Sequence, residues 1–341
     1  TPKPSSAASD VYKRQIMNIV ITGGAGFIGS HFVRKLREYK RRITIIVIDR
    51  LTYAGDIRRI EDVPGIDFLR VDICDYKSLR KVFERYKVGC VVNFAAHTHV
   101  DRSIKDDSPF IDTNIKGTHN LLRITKEFKI KMFYHISTDE VYGDIEEKAK
   151  HRYFSENSPL RPNSPYAASK ASADLLIRSY RRTYGLPSVI IRPSNNYGPW
   201  QHREKFIPTV ICNAFLNKSV PIYARGKNRR EWLYVEDCVE AILRIVLSDT
   251  HNWTIYNISS RVRPQNIDVA RRILKIMNKP RSLIKYVQDR PGHDFMYALS
   301  CNRLEREFGW KPRVSLNDGL KKTVEWYIAH REWWDSVEGN D

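Results

Sequence analysis

Between Ser137 and Lys170 the sequence gathers a set of residues suited to acid/base chemistry. Ser137-Thr138-Asp139-Glu140-Val141-Tyr142-Gly143 offers a hydroxyl beside two adjacent carboxylates. Tyr166-Ala167-Ala168-Ser169-Lys170 offers a phenol with an amine one helical turn later. Asn163-Ser164-Pro165 predicts a helix start, with Ser164 as N-cap and Pro165 in the first turn. Tyr166 and Lys170 then share a face. A phenol titrates near 10, so a tyrosine base at neutral pH needs a shift of roughly 3 units, about 4 kcal/mol. An ammonium at 4 Å supplies about 1 kcal/mol in water and roughly four times that in a partly dry site. Lys170 can therefore activate Tyr166 only inside a cleft, ideally beside a second positive charge. Alone, the pair also fits an exposed helix face.

Upstream elements would build that cleft. Met17 to Thr22 is an apolar, β-branched run, followed by Gly23-Gly24-Ala25-Gly26-Phe27-Ile28-Gly29, an amphipathic stretch from Ser30 to Tyr39, and a second strand, Ile43 to Ile48, ending at Asp49. Strand, glycine turn, helix, strand and acid form a dinucleotide-binding pattern, in which backbone N–H groups meet a pyrophosphate at a helix N-terminus. Asp49 would accept from the adenosine ribose and favours NAD; Arg50, Arg58 and Arg59 leave NADP open. Phe68 to Val71, Cys90 to Phe94, Lys131 to Ser137 and Ser188 to Arg192 read as further strands. Tyr76 to Tyr86, Ile111 to Phe128 and the Tyr166 segment read as helices. This alternation predicts an α/β fold, a Rossmann-like doubly wound parallel sheet with ligands beyond the carboxyl ends of its strands. Asp49, Asp72-Ile73, Ala95-Ala96 and Thr138 to Glu140 should converge there.

The period turns irregular beyond Pro199, predicting a smaller, mixed substrate-binding region. Residues 17–195, with 229–260 returning (Glu231 to Ser248 as strand and helix), form the expected cofactor domain; 196–228 and 261–334 form the expected substrate-binding domain. Leu316 to Trp334 reads as a packing helix with Trp326, Trp333 and Trp334 on its buried face. Thr1 to Gln15 is polar and lacks a signal peptide's apolar core, so residues 1–16 read as a non-native leader and Met17 as the native start. Five scattered cysteines lack metal-ligand spacing and suit reduced cytoplasmic thiols. No run suits a membrane span. The net charge of +19 comes from dispersed basic residues, including Lys40 to Arg42, without a nucleic-acid module. It fits an anionic small substrate better than a nucleic-acid partner.

On these motifs the chain resembles the extended short-chain dehydrogenase/reductase family, and within it the dTDP-glucose 4,6-dehydratases, from Met17 to about Trp326. The glycine turn and Tyr166/Lys170 mark the larger group. Thr138-Asp139-Glu140, His99 to Ser103, Asn195 to Pro199 and Asp289 to Asp294 mark the subtype. The resemblance implies that Tyr166, helped by Thr138 and Lys170, takes the sugar O4 proton while C4 gives hydride to NAD. Glu140 then takes the C5 proton, Asp139 protonates the departing C6 hydroxyl, and hydride returns to C6. One ionised and one protonated carboxyl suit such an elimination.

The same resemblance assigns Gly23, Gly26, Phe27, Ile28, Gly29, Asp49, Asp72, Ile73, Ala95, Ala96, Tyr166 and Lys170 to the cofactor. It assigns Thr98, Thr138, Asp139, Glu140, Asn196, Lys205, Phe206, Pro221, Tyr223, Arg230, Asn266, Arg290 and His293 to the substrate, with no metal. It also implies a homodimer through the Ile111 to Phe128 and Tyr166 to Tyr184 helices, with Leu121, Leu122, Leu175 and Leu176 as surplus apolar residues. Three departures bear on selectivity: His97 in place of glutamate, the polar Gln201 to Glu204 segment, and Met296 in place of arginine. UDP-glucose as substrate stays open, as do epimerase or decarboxylase chemistry and a non-catalytic nucleic-acid-binding relative.

Overall fold

Why the chain forms one central sheet is visible in the strands themselves. A computed structural model describes residues 18–39, 43–146, 149 and 152–337; the expected leader, the Met17 start and Lys40 to Arg42 lie outside the described residues. Seven parallel strands, β1 (Asn18–Thr22), β2 (Ile45–Asp49), β3 (Ile66–Arg70), β4 (Val88–Asn93), β5 (Met132–Ile136), β6 (Ser188–Pro193) and β7 (Ile255–Ile258), form the sheet. Their spatial order is β7-β6-β5-β4-β1-β2-β3. Along β1, Ile19 and Ile21 enter one core and Val20 the other, and Cys90/Val92 against Val91 repeats this in β4. Both faces are thus buried, which is why these strands are continuous apolar runs.

One face is covered by α1 (Phe27–Tyr39) and the late helix Val235–Val246. Three helices cover the other: α2 (Tyr76–Arg85), α3 (Thr118–Glu127) and α4 (Pro165–Tyr184). Caps set their ends. Asp75 accepts from Lys77 N and Ser78 N, and Ser164 accepts from Ala167 N with Pro165 following, as expected. Gly185, at φ 64°, closes α4 in the left-handed conformation.

A second apolar core, separate from the one that α6 (the Val235–Val246 helix) covers, surrounds α5 (Phe206–Phe215), α7 (Asn266–Ile276) and α8 (Leu316–Ala329), with Ile207, Ile222, Ile273, Leu320 and Tyr327 inside. A short parallel pair, Val220–Ile222 with Ile284–Tyr286, lies beside it.

Three expectations need correction. The strand expected near Glu231 is Leu233–Tyr234, which pairs with Asn196–Tyr197 rather than the main sheet. The strand that returns is Ile255–Ile258, whose Asn257 is buried and accepts from Tyr142 Oη at 2.8 Å. The Ile111 to Phe128 helix opens with a π-helical stretch, Ile111–Gly117, before α3. The tail helix breaks at His330, giving α8 and α9 (Arg331–Val337); Trp333 and Trp334 are buried and Trp326 partly so.

Candidate active site

The acid/base set lies where β5 ends. Thr138 caps the 3-10 turn Asp139–Tyr142 by accepting from Glu140 N at 3.3 Å, and it donates to Asp139 Oδ1 at 3.2 Å. Across the crevice α4 presents Tyr166 and Lys170, both buried. Lys170 Nζ donates to Ile136 O at 2.6 Å and meets His135 Nε2 at 3.3 Å. Burial lowers the Lys170 amine to about 8, against the pull of Asp174. Burial and then Glu140 raise the Tyr166 phenol, and a hydrogen bond with Thr138 opposes them. The protein's own groups therefore favour the protonated phenol of Tyr166.

The two carboxylates differ. Asp139 is pushed well up by burial, then by Glu140 and Glu231. Burial also raises Glu140, but Arg290, Arg230 and Lys205 pull it back toward ionisation. One acid and one base can thus coexist on adjacent residues.

The glycine turn fits a dinucleotide. Gly23 has φ +69°, and a Cβ there would lie 2.5 Å from Ala95 N, so only glycine lets this turn approach the end of β4. Gly26, Asp49, Asp72, Ile73, Ala95 and Ala96 line one pocket, while Phe27, Ile28 and Gly29 open α1. Asp49 is held by Ala25 N at 3.0 Å and Leu51 N at 2.9 Å. The three arginines that left NADP open are all engaged. Arg50 pairs with Asp72 at 2.7 Å, Arg58 with Asp56 at 2.7 Å, and buried Arg59 donates to the carbonyls of Ala25, Ala54 and Trp200.

On the substrate side, Tyr223 and Arg290 line a cleft of about 580 Å³ with His99, Arg102 and Glu204. Arg290 pairs with Asp101 at 3.0 Å. Lys205 Nζ donates to the carbonyl of exposed Thr98 at 2.9 Å. Arg230 is buried, donating to Asp294 O at 2.9 Å, and lies over the Tyr297 ring. Asn196 Oδ1 and Asn266 Oδ1 are buried without protein partners. Phe206 stacks near Trp232, Pro221 sits in the short strand pair, and His293 meets Asp289 at 2.6 Å. Among the described residues no cluster suits a metal ion.

One of the departures turns inward and another faces the glycine-turn pocket. Met296 is buried beside Val141, Tyr142 and Phe154, so it does not stand where a phosphate-binding arginine could. His97 is half-buried, packs against Phe110 and Tyr53, and lines the glycine-turn pocket beside Ala96. Sequence reasoning passed over Asn114, which holds both sides of the His97 backbone (2.9 and 3.1 Å) and donates to Ser169 Oγ at 2.8 Å. It sits in the π-helical stretch, a distortion common at functional sites but silent in periodicity.

Comparison with known proteins agrees with this geometry. Residues 20–323 match the family described as GDP-mannose 4,6 dehydratase. The dTDP-glucose 4,6-dehydratase of Salmonella typhimurium is 42% identical over 94% of this chain and 96% of its own. DesIV, the dTDP-glucose 4,6-dehydratase of Streptomyces venezuelae, solved with NAD bound, superposes with TM-score 0.89 at 41% identity, over 94% of this chain and 100% of that one. The UDP-glucose 4-epimerase of Thermus thermophilus, solved with NAD, reaches TM-score 0.85 at 29% identity over 92% and 100%. With its paired carboxylates beside Tyr166 and Lys170, the chain belongs to the nucleotide-sugar 4,6-dehydratase family, alongside the dTDP-glucose 4,6-dehydratases.

Proposed function

We propose that this protein is an NAD-dependent dTDP-glucose 4,6-dehydratase that forms the 4-keto-6-deoxy sugar nucleotide. The observation that carries the reading is the unequal pair Asp139 and Glu140 beside Tyr166. The glycine turn against Ala95, the Asp49 carboxylate and the pocket between them suit NAD. Bound NAD supplies the hydride acceptor and, later in the same turnover, the hydride donor. The chain does the proton work. Tyr166, hydrogen-bonded to Thr138 and supported by Lys170, removes the O4 proton. Oxidation at C4 acidifies C5–H, and Glu140, flanked by Arg290, Arg230 and Lys205, takes that proton. Asp139, held protonated, donates to the leaving C6 hydroxyl.

Asn196 and Lys205 would lie near the diphosphate and sugar, Arg230, Asn266, Arg290 and His293 would hold the phosphates and ribose, and Pro221 and Tyr223 would lie around the base. Guanidinium groups suit phosphate through paired donors. Residues 17–195 with 229–260 form the cofactor half, and 196–228 with 261–334 the sugar-nucleotide half. A homodimer through the π-helical stretch, α3 and α4 completes the reading. Leu121 and Leu122 no longer support it, since both are spent in the protein's own core. Of the four leucines, Leu175 remains 54% exposed and Leu176 is half-buried against the core; Ile111, 47% exposed, adds to the outward face. Among the described residues no helix is long and apolar enough to cross a membrane, which accords with a cytoplasmic place.

The test is incubation with dTDP-glucose and UDP-glucose separately, with products identified by NMR. The 4-keto-6-deoxy product from dTDP-glucose supports the reading. Faster turnover of UDP-glucose would reassign the nucleotide, and a C4 epimer would remove the dehydratase assignment.

A further inference from the structure

Beneath the acid/base set runs a buried polar chain that the proposed chemistry does not use. Thr22 Oγ1 lies 2.6 Å from Asn93 Oδ1, Asn93 Nδ2 lies 3.0 Å from His135 Nδ1, and His135 Nε2 lies 3.3 Å from Lys170 Nζ. None of these side chains is more than 2% exposed. Three strands, β1, β4 and β5, therefore contribute one residue each to a line ending on the lysine of α4.

We propose that His135 is a positioning residue for Lys170: its neutral ring accepts from the ammonium at Nε2, and Asn93 and Thr22 supply the tautomer this requires. The inference rests on the reading that Lys170 assists Tyr166.

Hydrogen-bond accounting carries it. A neutral imidazole has one donor and one acceptor nitrogen, whereas an ammonium only donates. If Lys170 is charged, Nε2 must be bare, the ring proton sits on Nδ1, and Asn93 must present its carbonyl oxygen to it. The amide nitrogen then faces Thr22, whose hydroxyl can accept as well as donate. If Lys170 is neutral, its lone pair can accept and the whole line can reverse: Nε2 carries the proton toward the amine, and Nδ1 accepts from Asn93 Nδ2. The second arrangement is the amide orientation that the distances above describe. Exchanging the ends of a planar amide moves no backbone, so both states fit one fold.

The neighbours keep His135 neutral. Burial, Lys170 and Arg192 all lower it well below the ordinary histidine range. The other ionisable groups around Lys170 are Tyr166 and Asp174 on its own helix and Arg192 on β6. Arg192 is engaged by Asp174 at 2.9 Å and by the Tyr142 hydroxyl at 2.8 Å. Asp174 Oδ1, buried without a hydrogen-bond partner, stands 4.0 Å from His135 Nε2. It attracts an Nε2 proton and helps stabilise the reversed state.

Two measurements test this. The first is ¹⁵N NMR of histidine-labelled wild-type protein, with the His135 signals assigned by difference from His135→Gln. As pH rises through the Lys170 titration near 8, the ring should pass from the Nδ1–H to the Nε2–H tautomer. The second is the pH–rate profile. His135→Phe removes the acceptor, so the ammonium is lost earlier and the basic limb should move down by about one pH unit, roughly one charge-assisted hydrogen bond. His135→Gln keeps an acceptor oxygen and should restore most of that shift, and neither variant should change KM for the sugar nucleotide more than about twofold. A ring tautomer that stays fixed from pH 6 to 9, or equal shifts in the two variants, overturns the proposal. A wild-type protein that makes no dehydrated product overturns the functional reading instead, while the NMR titration still decides the role of His135.

Discussion

Asp139 and Glu140 are consecutive in one 3-10 turn and burial raises both, yet their charged neighbours differ. Glu231 adds to the burial that keeps Asp139 protonated, whereas Arg290, Arg230 and Lys205 favour the ionised form of Glu140. A turn of this kind sends successive side chains in different directions, so one dipeptide can serve two carbons of one sugar.

The first prediction separates the roles in time. Glu140→Gln is nearly isosteric and removes only a base, so C4 oxidation should survive while the C5 proton stays in place. A single-turnover mixture should show NADH absorbance and a 4-keto-glucose nucleotide, with little 6-deoxy product. Tyr166→Phe should suppress the absorbance itself. Each effect should be about 10²–10⁴-fold. Equal loss of absorbance in the two variants would leave Glu140 with only a supporting role.

A second prediction concerns pH and stability. Asp139 has a folded-state pKa above its unfolded one, so the native state binds more protons and stability falls as pH rises above about 4. Asp139→Asn removes that cost while abolishing the acid. The variant should therefore melt higher than wild type at pH 7, by on the order of 2 °C per unit of pKa elevation. The gap should close toward pH 4. Melting curves at both pH values decide it, and a variant less stable at pH 7 would contradict the burial argument.

Arg59 gives a third. Its guanidinium is buried without a carboxylate on it, donates to Ala25 O, Ala54 O and Trp200 O, and lies 5.3 Å from the Trp333 ring. It clips the glycine turn to the loop after β2 and to the loop closed by α9. Arg59→Met should leave these carbonyls unpaired, costing roughly 3 kcal/mol or more. It should also reduce the NAD that accompanies the purified protein, measured by absorbance after denaturation. Full NAD content would show that the turn holds its shape without the clip.

Much of this was legible in the sequence because buried parallel strands are runs of Ile and Val. β1, β2 and β4 begin or end within about two residues of their expected limits. The Ser164-Pro165 start of α4 was readable for a local reason, a cap followed by proline. What escaped depends on distant partners. The returning strand holds a buried Asn257, whose amide oxygen Tyr142 Oη satisfies. Met296 looks like a lost arginine until the Val141–Phe154 cluster encloses it. Leu121 and Leu122 look like interface residues until their own sheet covers them. Asn114 carries no signal, since its partners are the backbone of His97 and a serine on another helix.

The last prediction follows from the arginines around Asp49. An NADP site needs a cation free to meet the 2′-phosphate, and none of Arg50, Arg58 or Arg59 offers one without breaking an ion pair or a buried clip. Asp49, close to where that phosphate would sit, adds repulsion; its contacts with Ala25 N and Leu51 N fix its position. Apo-protein reloaded with NADP⁺ should therefore recover less than about 1% of the activity restored by NAD⁺, a difference of roughly 3 kcal/mol. Asp49→Ser should narrow the gap by weakening NAD binding and relieving the repulsion together. Equal rescue of wild type by both cofactors would mean that Arg50 leaves Asp72 for the phosphate, and the preference read from Asp49 would be lost.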